Sequence, residues 1–111
     1  MDDYDRLRLS IQSALVGSVT DDLVAVTCSI ECKHLTIEAY FEGAVGPYEL
    51  EFVRGITREV MAGFSDKYTS ESRCYSIQQR EPQMLDFWAF LRAGATGHRR
   101  AATTGPRLVA S

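Results

Sequence analysis

The sequence predicts an α+β fold, a two-layer domain in the order α-β-β-α-β-β with a four-stranded, mostly antiparallel sheet and two helices on one face. Three observations carry this. Leu35 to Gly43 alternates apolar and polar residues, the period of a half-buried strand. Tyr48 to about Phe64 carries Phe52 or Val53, Ile56, Val60 and Phe64 at helical spacing. The chain has 111 residues, enough for one two-layer core and too few for two.

Taken in order, Asp2 to about Val16 places Tyr4, Leu7, Ile11 and Ala14 or Leu15 on one helical stripe, with acids in the first turn where they suit the helix dipole. Gly17 is the expected stop. Leu23 to Lys33 alternates Val24, Val26, Cys28, Ile30 and Cys32 against Ala25, Thr27, Ser29, Glu31 and Lys33, a strand with one buried face. Lys33-His34 then makes a tight connection into the next strand, which predicts an antiparallel hairpin. Ala44 to Pro47 breaks the pattern, and Pro47 suits a first helical turn. Ser72 to Gln79 gives a shorter alternation, and Asp86 to Arg92 is the last strand, with Phe87, Ala89 and Leu91 opposed to Trp88 and Phe90. Residues 1–93 are expected to form the domain. From Gly94 to Ser111 the periodicity ends, and a flexible tail is expected.

Composition narrows the function. The formal net charge of −3 conceals an asymmetry, since residues 1–91 hold 8 basic against 15 acidic residues, a net of −7. So acidic a domain repels nucleic acid and favours a basic protein partner. No run approaches the roughly 18 apolar residues of a membrane span, and the acidic N-terminus does not read as a secretory signal, so the expected location is the cytoplasm. The three cysteines, Cys28, Cys32 and Cys74, do not suggest a secreted disulfide framework.

Chemistry is sparse. Cys28, Cys32 and His34 invite a metal reading, but strand residues four apart stand about 13 Å apart, too far for one zinc ion. His34 and His98 lack a nucleophile motif, and Gly43 to Pro47 lacks the spacing of a phosphate loop. No catalytic residue, metal or cofactor is therefore assigned. The outer sheet face offers more. Trp88 and Phe90 lie two apart, Tyr40 lies on the corresponding face, and Glu31, Glu38 and Glu42 share that side. Exposed aromatics among carboxylates suit a basic protein partner, and these six residues are the expected contact surface. Self-association through the same aromatics, as a homodimer, is the alternative. A small enzyme using His34 is a third reading.

Ala14-Leu15-Val16-Gly17, Leu23-Val24-Ala25-Val26, Tyr40-Phe41-Glu42-Gly43 and Ile56-Thr57-Arg58-Glu59-Val60-Met61-Ala62-Gly63-Phe64 together resemble small bacterial immunity proteins of contact-dependent growth inhibition systems. The similarity spans roughly Ile11 to Arg92. It implies a protein without a cofactor that binds and blocks the toxic domain, often a nuclease, of an effector delivered by a sibling cell. The resemblance assigns no contact residues.

Overall fold

A computed structural model describes residues 2–92. The elements are α1 (Asp3–Leu15), β1 (Leu23–Glu31), β2 (His34–Phe41), α2 (Pro47–Met61), β3 (Thr69–Ser76) and β4 (Phe87–Leu91). The fold is α+β in the expected order. The strands form one sheet in the order β3-β2-β1-β4, with β1 antiparallel to β2 and β4 and β3 parallel to β2. The parallel pair follows from connectivity, because α2 carries the chain back across the sheet between β2 and β3. The tail expected from Gly94 lies outside the described residues.

Each helix starts where local chemistry allows. The Asp2 carboxylate accepts the Asp5 N–H at 2.8 Å and caps α1, which ends before Gly17 at φ +74°. The Glu49 carboxylate reaches back to the Gly46 N–H at 2.9 Å at the start of α2, whose first residue is Pro47. Leu7, Ile11, Ala14 and Leu15 of α1 and Val53, Ile56 and Val60 of α2 are buried against one sheet face, where Leu35, Ile37, Ala39 and Phe41 of β2 meet them.

The hairpin turn consists of Cys32 and Lys33, at φ 51° and 64°. Positive φ at both central residues is the mirror-type turn that matches strand twist and favours Asn-Gly. Two residues with Cβ atoms in the left-handed region carry strain. Lys33→Gly is expected to raise stability by about 0.5 to 1 kcal/mol, readable as a later urea midpoint with an unchanged slope.

Two bulges break the alternation that the sequence suggests. Along β1, Leu23 pairs with Phe41 and Ala25 with Tyr40, which leaves Val24 without a partner. Along β4, Phe90 pairs with Val26 and Trp88 with Thr27, which leaves Ala89 extra. The Gln12 amide donates to the Ala89 carbonyl at 3.1 Å, so α1 takes up a bond that the ladder gives up. The expectation of one buried face for β1 is also corrected. Leu23 through Cys28 are all buried, because β1 is central and covered on both sides.

Candidate functional site

The outer sheet face is covered instead of open. Tyr40 is fully buried in a second apolar cluster with Val24 and Ala25, against which Tyr75, Ile77 and Trp88 pack. The connection between β3 and β4 closes over it. Its Gln83 N–H donates to the Tyr40 hydroxyl at 3.4 Å, its Leu85 N–H donates to the Thr27 hydroxyl at 2.8 Å, and Pro82 is buried. The Arg80 guanidinium lies 4.5 Å from the Tyr75 ring centre, a cation over an aromatic face.

Glu38 is the charge at the centre of this layer. Its side chain is 1 % exposed, yet both oxygens are satisfied, one by the Tyr40 hydroxyl at 2.9 Å and one by Arg73 at 2.8 Å. Burial, followed by the adjacent Glu38 charge, pushes the Tyr40 phenol above its ordinary value, which keeps it a donor.

The six expected contact residues are therefore not brought together. Glu38 and Tyr40 are buried, which corrects the expectation that they are exposed; each is consumed by the network just described. Trp88 does lie on the outer face, half-buried against the second cluster. Phe90 packs against the helix-side core, because the Ala89 bulge turns it to the opposite face from Trp88. Glu31 closes β1 at the hairpin end, while Glu42 follows β2 at the other end, about 25 Å away along an eight-residue strand. His34, the residue of the enzyme reading, hydrogen-bonds Thr69 at 2.7 Å and approaches Glu71 at 3.5 Å. Cys28 is buried, and burial pushes its thiol far up. Among the described residues, no group of three His, Cys, Asp or Glu stands together as a metal site.

A different surface has the shape of a site. Between the α1–β1 loop and the N-terminal half of α2 lies a groove enclosing about 210 Å³ at its deeper end, lined by Thr20, Asp22, Phe41, Tyr48, Glu49, Glu51 and Phe52. It continues along α2 past Gly55 and Ile56 to Arg58 and Glu59. Its floor is apolar, with Phe41 and Phe52 in edge-to-face contact at 5.9 Å. Tyr48 stands over it 80 % exposed, and Val16 and Val19 of the facing loop are exposed as well.

The rim is acidic. Asp22, Glu49, Glu51 and Glu59 line the groove against one cation, Arg58. Arg58 bonds Glu51 at 2.7 Å and holds its carboxyl below the ordinary value. The Thr20 hydroxyl donates to Asp22 at 2.7 Å, and the Glu42 N–H donates to the Asp22 carbonyl at 2.9 Å, so Glu42 belongs to the same end of the molecule. Arg92 ties that end down through Glu42 at 2.7 Å and the Asp21 carbonyl at 3.3 Å. Sequence reasoning passed over Tyr48 because it sits beside the apolar stripe of α2. The available signal was its spacing, one turn before Phe52.

No helix among the described residues is long and apolar enough to cross a membrane. A search of curated proteins finds no match. A comparison with protein families matches residues 4–94 to the MafI2 immunity protein family, a span that runs from the first turn of α1 through β4. The expectation of a bacterial immunity protein holds at that level, but the family is MafI2 and not that of contact-dependent growth inhibition. The chain belongs to the MafI2 immunity protein family.

Proposed function

We propose that this protein neutralises a cognate toxin by stoichiometric, non-catalytic binding, and that the groove between the α1–β1 loop and α2 receives it. The carrying observation is Tyr48, an exposed aromatic over an apolar floor and inside an acidic rim, on a domain of net charge −7. Aromatic anchors at the centre of an interface supply most of its affinity, and complementary charge speeds encounter and rejects wrong partners. The toxin surface that fits is basic. A nuclease has such a surface where it holds its phosphate backbone, and covering it blocks substrate access. The toxin domain arrives with an effector delivered by a sibling cell, and no cofactor takes part.

The test has two stages. Affinity capture from the native cells, read by mass spectrometry, is expected to return a basic toxin domain in stoichiometric amount. Titration calorimetry then compares variants. Tyr48→Ala is expected to weaken binding by about 30-fold or more, equivalent to roughly 2 kcal/mol. Glu51→Lys is expected to slow association and flatten its dependence on salt. Unchanged affinity in both variants, with wild-type melting temperature, would remove the groove as the site. Capture of the bait alone while the toxin is expressed would remove the toxin-binding reading.

A further inference from the structure

The two sheet edges differ in a way that the toxin-binding reading does not use. β4 is five residues long and bulged at Ala89, features that blunt an edge. β3 is eight residues long, pairs with β2 in unbroken register, and contains neither proline nor lysine. Among the described residues it is bonded on one side only. Its backbone directions are fixed by two bonds toward β2, from the Thr69 N–H to the Lys33 carbonyl and from the Ile77 N–H to the Phe41 carbonyl. Backbone groups alternate sides along a strand, so those of Ser70, Ser72 and Cys74 point out of the sheet.

We propose that β3 pairs antiparallel with β3 of a second copy across a two-fold axis at Ser72, joining two sheets into one of eight strands. Two constraints select this register. Outward-pointing residues must face one another, which restricts pairing to even-numbered residues against even-numbered ones. Charge then chooses among the remaining registers. With the axis at Ser72, Glu71 faces the partner's Arg73 and Arg73 faces the partner's Glu71, at non-bonded positions where side chains come closest. Moving the axis to Glu71 sets Glu71 against itself, and moving it to Arg73 sets Arg73 against itself. Within one chain Arg73 already bonds Glu71 at 2.8 Å on an open surface. The two-fold therefore sets each charge beside opposite charges only. The edge charges that repel a foreign strand complement a second copy of the same strand.

No residue of β3 lines the groove, so dimerisation and toxin binding are separable. The test uses the full chain and cysteine chemistry. In the proposed register Ser70 faces the partner's Cys74 with Cα atoms about 5.5 Å apart, within disulfide range. Ser70→Cys under mild oxidation is expected to give a covalent dimer linked to the native Cys74, mapped by peptide mass spectrometry. With the exposed Cys32 replaced by serine throughout, the same substitution combined with Cys74→Ser is expected to give none. In analytical ultracentrifugation the wild type is expected to show concentration-dependent dimerisation, and Glu71→Arg to raise the dimer dissociation constant at least about tenfold while circular dichroism stays unchanged. A wild type that stays monomeric at high micromolar concentration would overturn the dimer. A cross-link between two introduced thiols in the Cys74→Ser background would overturn the register.

Discussion

Replacing Arg73 by alanine is expected to lower stability by about 3 kcal/mol, among the largest losses from any exposed or half-exposed position. Arg73 shows 38 % of its side chain to solvent, while Glu38 shows 1 %. Removing the guanidinium leaves a carboxylate enclosed by the second apolar cluster with the Tyr40 hydroxyl as its remaining donor. Breaking a buried pair from one side costs about 3 to 5 kcal/mol, and the partial exposure of Arg73 places this case at the lower end. The cost comes from the stranded charge. Adding Glu38→Gln to Arg73→Ala is therefore expected to recover more than half of the loss. Arg73→Lys is expected to recover less, because an ammonium cannot serve Glu38 and Glu71 with the geometry of a fork. Guanidinium unfolding of the four proteins measures all three differences. A double variant no more stable than Arg73→Ala alone would mean that packing, not charge, supplies the effect.

Phe41→Ala is expected to cost about 4 kcal/mol and to lower the melting temperature by roughly 20 °C. Phe41 is 2 % exposed and belongs to the core under both helices. It also meets Phe52 edge-on, at 5.9 Å and 81°, and forms part of the groove floor. Truncation thus leaves a void that backbone pairing with Leu23 prevents from collapsing. Phe41→Leu keeps most of the volume and is expected to cost about 1 kcal/mol. If the groove receives the toxin, Phe41→Leu also weakens binding while the protein remains folded. Thermal melts and calorimetry on the same samples separate the two effects. A loss below 1 kcal/mol for Phe41→Ala would show that the core repacks there.

How much was legible in the sequence follows from where side chains alternate regularly. β2 reads correctly because Leu35, Ile37, Ala39 and Phe41 keep strict period two against both helices. The helices read correctly for the same reason at their own period, with Gly17 and Pro47 as punctuation, although α2 ends at Met61 and not near Phe64. The outer sheet face was misread at Phe90, whereas Trp88 lies where the alternation puts it. A bulge adds one residue and inverts every later assignment on that strand, and nothing in the composition of Trp88-Ala89-Phe90 announces it. Glu38 and Tyr40 were misread because alternation identifies the second face of a strand but not what covers it. The cover comes from residues 77–86, a polar stretch with no period of its own. The parallel placement of β3 was hidden similarly, since strand order depends on the path of α2 and not on the residues of β3. Tyr48 lies one turn from Phe52, but only the folded α1–β1 loop turns that pair into a groove.

The pairing of β1 with β4 has a kinetic meaning. β1 and β2 are joined by two residues and can zip together as soon as both exist, whereas β1 meets β4 through contacts such as Ala25 with Leu91, more than 60 residues later in the chain. Closing so long a loop is slow, and on the ribosome it cannot begin until β4 has emerged. Until then the central strand presents a bare flank, and the Gln12 amide has no Ala89 carbonyl to meet. A protector needed at the moment its toxin appears thus has its readiness set by β4, the last strand among the described residues to be made. Stalled or truncated synthesis before Phe87 would leave a product with most of its sequence and no completed sheet.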